Sequence, residues 1–296
     1  MKKKGILLVI YVALNLVVIG IAIHIMFSAT PMESIGLGVV LYAVSIGMAF
    51  SPVGEFIVRV KERARKDDTV LEVVDPLFKE VYSEAKKEYV SVPEGVKVLV
   101  NKGELPNACA IGRKTICVTN TITDLSDNEI KAVLSHELGH LINKDTYPII
   151  FATTGNIVVI AIATIIKLVI TFVQLLASIV CQFAGGTDGV LYSMVNAFLN
   201  LLINVFIDGI LITWTKIGQL FVIGSTNKKE LEADQVAVKI GYGKELCDVL
   251  RRYQPLAGRE KKKAFDFTHT NLDERISRIV NNQPPIEVGA CKSLVD

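Results

Sequence analysis

Four long blocks of apolar residues are the feature that most restricts how this chain can fold. They cover residues 6–27, 35–53, 148–183 and 190–224 of a 296-residue sequence that is 51% hydrophobic. A helix crosses the hydrocarbon core of a bilayer with about 20 apolar residues. The first two blocks have the length of one span each, and the last two are longer than one span requires. We therefore expect a mainly α-helical, multi-pass membrane protein with four transmembrane helices.

The distribution of basic residues predicts how these helices are oriented. Residues 2–4 are all lysine, and residues 59–66 contain five more Lys and Arg, whereas the short loops "SATPMES" and "AGGTDG" contain none. Because cytoplasmic loops carry the excess of Lys and Arg, we expect both termini and the region after the second span to be cytoplasmic. The membrane itself is expected to be the plasma membrane. The first block could instead be a cleaved signal peptide, which would leave the remaining topology unchanged.

Two charged residues interrupt the long apolar blocks. Counted from the loop near Gly185, Lys167 and Asp208 both lie roughly 27–35 Å along their helices, at the cytoplasmic boundary of the bilayer. Charges at this depth are costly unless they are paired or reach water. The sequence leaves two alternatives open: an ion pair between neighbouring helices, or two side chains that each reach the interface alone.

The region between the second and third blocks has the pattern of a small α+β domain. Apolar residues recur at spacings of three and four over residues 61–90, which predicts a helix. "VKVLV" at residues 96–100 predicts a strand, and "ACAIG" and "TICVT" flank Gly112-Arg113-Lys114 as in a β-hairpin. Cys109 and Cys117 would face each other across this hairpin, where we expect free buried thiols in a reducing compartment.

The helix that follows the hairpin carries a motif typical of zinc binding. "AVLSHELGHLINKDT" spans residues 132–146, and Ser126 with Glu129 forms a capping box at the start of the helix. His136 and His140 are about 40° apart around the axis, so both imidazoles can bind one ion. Glu137 is placed to accept a proton from a water molecule activated by the metal. The alternative is a pair of surface histidines.

A glycine in the motif and two carboxylates later in the chain complete the predicted zinc site. Gly139 leaves room for the close approach of a substrate or of another helix. A catalytic zinc needs a third protein ligand, and "KKELEADQVAV" offers Glu230, with Asp234 on the same helix face to hold the outer ring nitrogen of a zinc histidine. The alternative is that these are solvated carboxylates balanced by Lys228 and Lys229. Cobalt or manganese would accept the same ligands.

Charge and cysteine usage exclude other classes of function. A net charge of +2 is too close to neutral to indicate binding of nucleic acid. The five cysteines include no Cys-x-x-Cys pair, so they predict neither a cysteine zinc site nor a disulfide framework.

At this point the chain resembles the HtpX-type membrane zinc metallopeptidases, which are relatives of the type I CAAX prenyl proteases. The likeness rests on "LPNACAIG", "HELGHLINKD", "ELEAD" and, more loosely, "THTNLDERISRI". It covers nearly the whole chain and implies a cytoplasmic α+β catalytic domain of the zincin (gluzincin) type. It also implies one Zn²⁺ per chain, held by His136, His140 and Glu230. Lys229 stands where the family often has Arg, and Thr270 where it has Pro.

The resemblance implies a domain order and further site residues. The expected domains are an N-terminal transmembrane hairpin, a cytoplasmic catalytic segment, a second hairpin with long helices, and a cytoplasmic segment with the third ligand, at residues 1–55, 56–147, 148–224 and 225–296. Asn107 and Ala108 would lie beside the metal on a strand that binds substrate by edge pairing. His269 would stabilise an oxyanion or have a structural role. Arg275 would hold an Asp or Glu near the site, or be a surface charge.

We therefore predict a zinc-dependent endopeptidase that cleaves membrane or misfolded proteins, in the quality control of membrane proteins. Its partners would be protein or peptide substrates and the lipid bilayer, and its oligomeric state stays open. Three alternatives remain: a catalytically silent membrane scaffold that keeps the fold, processing of prenylated CAAX peptides, and a transporter. Two isolated charges near one membrane boundary give little support to a transporter. Metal content and the effect of changing Glu137 distinguish these functions.

Overall fold

A computed structural model describes residues 2–154, 156–184, 187–222, 226–257 and 272–282. The helices are α1 (Lys2–Phe27), α2 (Pro31–Ala49), α3 (Pro52–Lys61), α4 (Asp68–Glu88), α5 (Asp127–Ile142), α6 (Tyr147–Thr154), α7 (Ile157–Ala184), α8 (Thr187–Val222), α9 (Thr226–Lys239), α10 (Gly243–Ala257) and α11 (Leu272–Asn282). The strands are β1 (Lys97–Asn101), β2 (Ala108–Ile111) and β3 (Thr115–Thr119). The chain forms two compact units, one from Met1–Ala49 with Phe151–Gly224 and one from Phe50–Ile150 with Ser225–Asp296.

The first unit contains the apolar helices. Among the described residues, Pro31–Ala49 and Ile157–Val180 are long and apolar enough to cross a membrane, and shorter apolar runs occupy Val9–Ile25 and Met194–Val205. These runs lie within α1, α2, α7 and α8, at the four blocks found in the sequence. The third block is not one helix, because α6 ends at Thr154 and α7 begins at Ile157.

Buried polar side chains join the helices of this unit. The indole N–H of Trp214 on α8 donates to the side-chain oxygen of Asn15 on α1, at 3.1 Å. Asn156, immediately before α7, donates to the hydroxyl of Tyr11 on α1. Asn15, Tyr11 and Asn156 are buried. Such hydrogen bonds contribute to helix association where the surroundings are apolar.

Lys167 and Asp208 form an ion pair, so of the two alternatives that the sequence left open, pairing between neighbouring helices is the one observed. The ammonium of Lys167 on α7 lies 2.9 and 3.0 Å from the two carboxylate oxygens of Asp208 on α8. The pairing brings two opposite charges together on long, largely apolar helices, which lowers their cost in a membrane.

The second unit is built around a three-stranded sheet in the order β1-β3-β2. The predicted hairpin is confirmed: β2 pairs antiparallel with β3, and Cys109 lies opposite Cys117 with both thiols free. β1 runs parallel to β3, so β2 is at an edge of the sheet. Helices α4 and α5 pack with the sheet in one apolar core, to which Val74, Ile116 and Leu134 contribute fully buried side chains.

The helix predicted over residues 61–90 begins later, at Asp68. Arg65 forms a two-way backbone bridge with Val100, with N···O distances of 2.9 and 2.8 Å, which keeps residue 65 extended. Arg63 has a positive φ of 53°, outside the right-handed helical region. Further along the chain, Gly241 has a φ of 93° and lies between the end of α9 and the start of α10.

Local chemistry determines the start of α5. The carboxylate of Glu129 accepts hydrogen bonds from the backbone N–H and the hydroxyl of Ser126, both at 2.9 Å. This capping-box arrangement satisfies a donor that the first turn of a helix leaves unpaired. Ile130, Leu134 and Leu138 then bury one stripe of the helix in the core. The two predicted metal-binding histidines therefore follow on a helix whose start and rotation are fixed.

Candidate metal centre

Helix α5 places the side chains of both histidines of the motif close together on one side of the helix. His136 is buried, with 2% of its surface exposed, and His140 is partly buried. Their ring centroids are 4.8 Å apart and their planes are nearly perpendicular, at 84°. The i, i+4 spacing places both rings on the same side of the helix.

Glu230 on α9 completes a cluster of three potential ligands. Its two carboxylate oxygens lie 3.3 Å from Nε2 of His136 and 3.5 Å from Nε2 of His140. The ligand atoms of the three residues all lie within 4.8 Å of one another. Two ligands at about 2.0–2.1 Å from one tetrahedral ion are about 3.3–3.4 Å apart. The two histidine–glutamate separations therefore fit a single metal ion.

The approach of α9 to α5 depends on Gly139. A Cβ at this position would lie 2.9 Å from Cα of Ala233 and 3.0 Å from its carbonyl oxygen. Ala233 is fully buried and lies between Glu230 and Asp234 on α9. The space beside Gly139 is thus occupied by a helix, one of the two alternatives that the sequence left open. A side chain at residue 139 would therefore push α9, and Glu230 with it, away from the histidines.

Asp234 and Arg275 support His136 from behind. Nδ1 of His136 lies 2.9 Å from a carboxylate oxygen of Asp234. Arg275 on α11 donates to both oxygens of that carboxylate, from Nε at 2.7 Å and from the terminal nitrogen at 2.6 Å. A carboxylate on the outer nitrogen fixes the ring orientation and tautomer of a metal-binding histidine, which leaves Nε2 directed to the metal. Arg275 is 1% exposed, so it is not a surface charge.

Asp145 and Lys229 support His140 in the same way. Nδ1 of His140 lies 3.0 Å from a carboxylate oxygen of Asp145. The ammonium of Lys229 lies 3.8 Å from the other oxygen and donates to the backbone carbonyl of Asp145 at 3.3 Å. Both histidines therefore direct Nε2 toward Glu230 while a carboxylate binds Nδ1.

The electrostatics of the cluster also favour a cation. Burial alone would lower the pKa of His136 and His140, but their carboxylate partners outweigh it and raise both, that of His140 to about 10. Burial would raise the pKa of Asp234, but hydrogen bonds from Arg275 and His136 hold it below its usual value. The carboxylates of Glu137, Glu230, Asp234 and Asp145 face only two permanent cations, Arg275 and Lys229, among the groups described above. A divalent cation would balance this charge.

Glu137 lies between the histidine cluster and the edge strand. Its carboxylate accepts a hydrogen bond from the backbone N–H of Ala110 on β2, at 2.6 Å. It is 4% exposed, and burial raises the pKa of its carboxyl group although the neighbouring histidines lower it. A carboxylate with a raised pKa, held beside three potential metal ligands, has the properties of a general base.

Among the described strands β2 pairs with β3 alone, and its outer, open edge adjoins this carboxylate. The backbone carbonyl of Asn107 accepts a hydrogen bond from the N–H of Thr119 at 2.8 Å, so residue 107 pairs inward with β3. Because pairing alternates along an antiparallel strand, the backbone of Ala108 and Ala110 faces outward. The bond from Ala110 to Glu137 agrees with this alternation. The side chain of Ala108 is buried, and Asn107 is anchored through its backbone.

The roles of two residues at or near the site were not predicted from the sequence. Glu55 on α3 accepts hydrogen bonds from the backbone N–H groups of Arg113 and Lys114 and from the hydroxyl of Thr115, at 2.7, 3.3 and 2.6 Å. It therefore holds the turn that joins β2 to β3. Asp145 belongs to the quoted zinc-helix motif, but its bond to His140 is visible only in the structure.

Two expectations from the sequence remain: the alternative of lysine-balanced carboxylates, and the role of His269. Lys228 pairs with Glu232 at 3.3 Å, so the alternative of solvated, lysine-balanced carboxylates holds for Glu232 but not for the buried Glu230 and Asp234. His269 lies outside the described residues.

Comparison with known proteins identifies a peptidase family. The model of "Peptidase family M48" matches residues 72–283. The chain is 29% identical over 138 residues to "Protease HtpX homolog 1" of Sulfolobus acidocaldarius, which covers 42% of this chain and 44% of that protein. It is 29% identical over 114 residues to "Protease HtpX homolog" of Pyrobaculum islandicum, which covers 37% of this chain and 30% of that protein. The chain thus spans less than half the length of these curated relatives.

The family match includes the whole of α5, α9 and α11, and it covers every residue of the histidine–carboxylate cluster. The resemblance to HtpX-type peptidases is confirmed by the two named relatives. Since the matched residues make up more than half of the sequence, this chain belongs to peptidase family M48.

Proposed function

We propose that this protein is a membrane-bound, zinc-dependent endopeptidase that cleaves membrane or misfolded proteins at the cytoplasmic face of the plasma membrane. The observation that carries the proposal is the convergence of His136, His140 and Glu230 next to the carboxylate of Glu137. These three residues would hold one Zn²⁺ ion. When bound, Zn²⁺ supplies a Lewis acid that polarises the scissile carbonyl and makes water more acidic.

The residues of this chain would then carry out the proton transfers. Glu137, ionised, accepts the proton of the attacking water at its carboxylate and delivers it to the leaving amine. Burial raises the pKa of Glu137, which increases its strength as a base. The N–H of Ala110 holds one carboxylate oxygen in place, so the acid–base group is oriented before substrate binds.

The open edge of β2 would bind the substrate. An extended peptide can add to such an edge by backbone hydrogen bonds, which gives affinity without a strict requirement for particular side chains. Because the N–H of Ala110 is bonded to Glu137, a peptide would pair with the outward-facing backbone of Ala108 and the carbonyl of Ala110, and would pass beside the catalytic carboxylate. This mode of binding suits unfolded segments of many different proteins.

The proposal includes a membrane topology for the four apolar helices. Helices α1, α2, α7 and α8 would each cross the bilayer, with both termini and the metal centre in the cytoplasm. Two candidate spans, Pro31–Ala49 and Ile157–Val180, and the excess of Lys and Arg after α2 support this topology. Catalysis close to a bilayer favours membrane proteins, or their misfolded segments, as substrates.

The first test compares cleavage of an unfolded model protein by the detergent-purified, zinc-loaded chain and by its Glu137→Gln variant. We expect cleavage by the parent alone, with equal zinc content in both proteins. Equal cleavage by both would reject Glu137 as the base or reveal a contaminant. If neither cleaves although both bind zinc, the protein is a silent scaffold or requires a narrow class of substrate, such as a prenylated peptide.

A further inference from the structure

Helix α3 presents three large apolar side chains on one exposed face. Val53, Phe56 and Val60 have 46%, 64% and 59% of their surface exposed. They lie within about 60° of one another around the helix axis. Single exposed apolar residues are common on protein surfaces. Three on one face of a ten-residue helix form a continuous apolar surface, which indicates a binding partner.

The opposite face of α3 is fixed to its own unit. Glu55 is buried and accepts the three hydrogen bonds from the β2–β3 turn described above. Arg59 donates to the hydroxyl of Thr115 at 3.2 Å, and Val58 is buried with Ile111 and Cys117. The helix therefore cannot rotate to bury Val53, Phe56 and Val60 without breaking this attachment.

Chain continuity and charge both indicate a lipid partner for the exposed face. Helix α3 begins at Pro52, three residues after Ala49 ends a candidate membrane span. Three residues of extended chain reach at most about 10 Å. Four basic side chains that follow are exposed: Lys61, Arg63, Arg65 and Lys66. An apolar helix face bordered by Lys and Arg is typical of helices that lie in the interface of an anionic bilayer.

We propose that α3 is an interfacial helix whose Val53–Phe56–Val60 face inserts into the headgroup region of a bilayer containing anionic lipids. Lys61 and Arg63 contact the lipid phosphates from its border. Because Glu55 on the same helix holds the β2–β3 turn, α3 attaches the edge strand of the candidate site to the membrane surface. This lipid contact does not depend on peptidase activity, so its test is separate from that of the proposed function.

The experiment uses the full-length chain in lipid nanodiscs. Phe56→Trp is compared with Val90→Trp, which places the same probe at an exposed apolar residue outside α3. The parent protein gives the background emission of its single tryptophan, Trp214. Quenching is measured with lipids brominated near the headgroup and, separately, with acrylamide in the aqueous phase. Far-UV circular dichroism checks that each variant is folded.

We expect emission from Phe56→Trp to be blue-shifted and lost with brominated lipid, whereas emission from Val90→Trp is lost only with acrylamide. Quenching of Phe56→Trp by acrylamide alone would overturn the proposal. Protection from both quenchers would also overturn it, since it would show that protein covers this face.

A second comparison tests the role of charge. Nanodiscs of phosphatidylcholine alone are compared with nanodiscs that contain equal parts of phosphatidylcholine and phosphatidylglycerol. We expect stronger quenching by brominated lipid in the anionic discs, and the double change Lys61→Glu and Arg63→Glu should remove this increase. The matched control, Lys79→Glu with Lys102→Glu, changes two other exposed lysines and should retain it. Equal loss in both double variants would reject a specific role for the border of α3.

Discussion

Arg275 binds both carboxylate oxygens of Asp234, at 2.7 and 2.6 Å, and Asp234 in turn binds Nδ1 of His136 at 2.9 Å. The guanidinium is almost fully buried, on a helix separated from α9 by α10 and a long stretch of chain. A planar guanidinium matches a carboxylate with two parallel hydrogen bonds, which lysine cannot reproduce. The orientation of one candidate metal ligand therefore depends on α11.

Changing Arg275 should weaken the metal centre and the fold together. In Arg275→Ala, the buried carboxylate of Asp234 loses its partner, and removing one member of a buried ion pair typically costs about 3–5 kcal/mol. We expect a lower temperature of unfolding in detergent and weaker zinc binding by competition with a chelator. Arg278→Ala is the matched control, because Arg278 lies on the same helix in an exposed pair with Glu274. Equal effects of both changes would contradict the assignment.

Asp145→Asn should lower metal affinity without unfolding the protein. The amide keeps the size of the side chain but removes the charge that orients and polarises His140 through Nδ1. Losing such a support typically costs about 10–100-fold in metal affinity. Zinc dissociation constants measured for this variant and for Asp124→Asn, an exposed aspartate of the same unit, test the prediction. Unchanged affinity in Asp145→Asn would mean that the contact with His140 has no influence on the metal.

Gly139→Ala should separate the ligands. The new methyl group would lie 2.9 Å from Cα of Ala233, closer than carbon atoms pack, so α9 must shift. Overpacking of this kind costs about 1–3 kcal/mol, and displacement of Glu230 should reduce zinc content. Gly47→Ala is the control, since a Cβ at that helical glycine meets no atom within 4 Å. Full zinc occupancy in Gly139→Ala would show that the close helix crossing is not required.

Glu55→Ala should impair substrate binding while the metal stays bound. Its removal leaves the buried hydroxyl of Thr115, and the part-buried N–H groups of Arg113 and Lys114, without their carboxylate acceptor. An unsatisfied buried group such as this hydroxyl costs about 1–3 kcal/mol. The β2–β3 turn should loosen, and we expect an increased KM for peptide substrates. Zinc content should equal that of the parent. A loss of zinc with unchanged KM would assign Glu55 to the metal centre instead.

Zinc affinity should increase with pH. Carboxylate partners raise the pKa of both histidines, that of His140 to about 10, so at neutral pH the metal-free His140 holds a proton that zinc must displace. Metal binding then releases at least this proton, and the logarithm of the association constant should rise with pH, with a slope of about one or more, until His140 deprotonates. Competition titrations at several pH values, with the pH dependence of the chelator subtracted, give the slope. A flat profile would contradict displacement of histidine protons.

The sequence by itself was sufficient for features that depend on neighbours in the chain. The i, i+4 spacing places His136 and His140 on one side of α5 wherever that helix packs. The capping box of Ser126 and Glu129 and the hairpin around Gly112 are also local, because their hydrogen bonds join residues only a few positions apart. The apolar blocks indicate the membrane through their composition alone.

The tertiary structure determined which distant residues meet. Glu230 and Asp234 lie one turn apart on α9 and so share a helix face, but only the packing of α9 against Gly139 brings Glu230 to the histidines. The partners of Arg275 and the pairing of Lys167 with Asp208 were open alternatives in the sequence, and the role of Glu55 was not predicted at all. Each depends on the packing of elements that are far apart along the chain. Such packing is decided by burial and shape across the whole core, whereas local patterns record only the preferences of a single element.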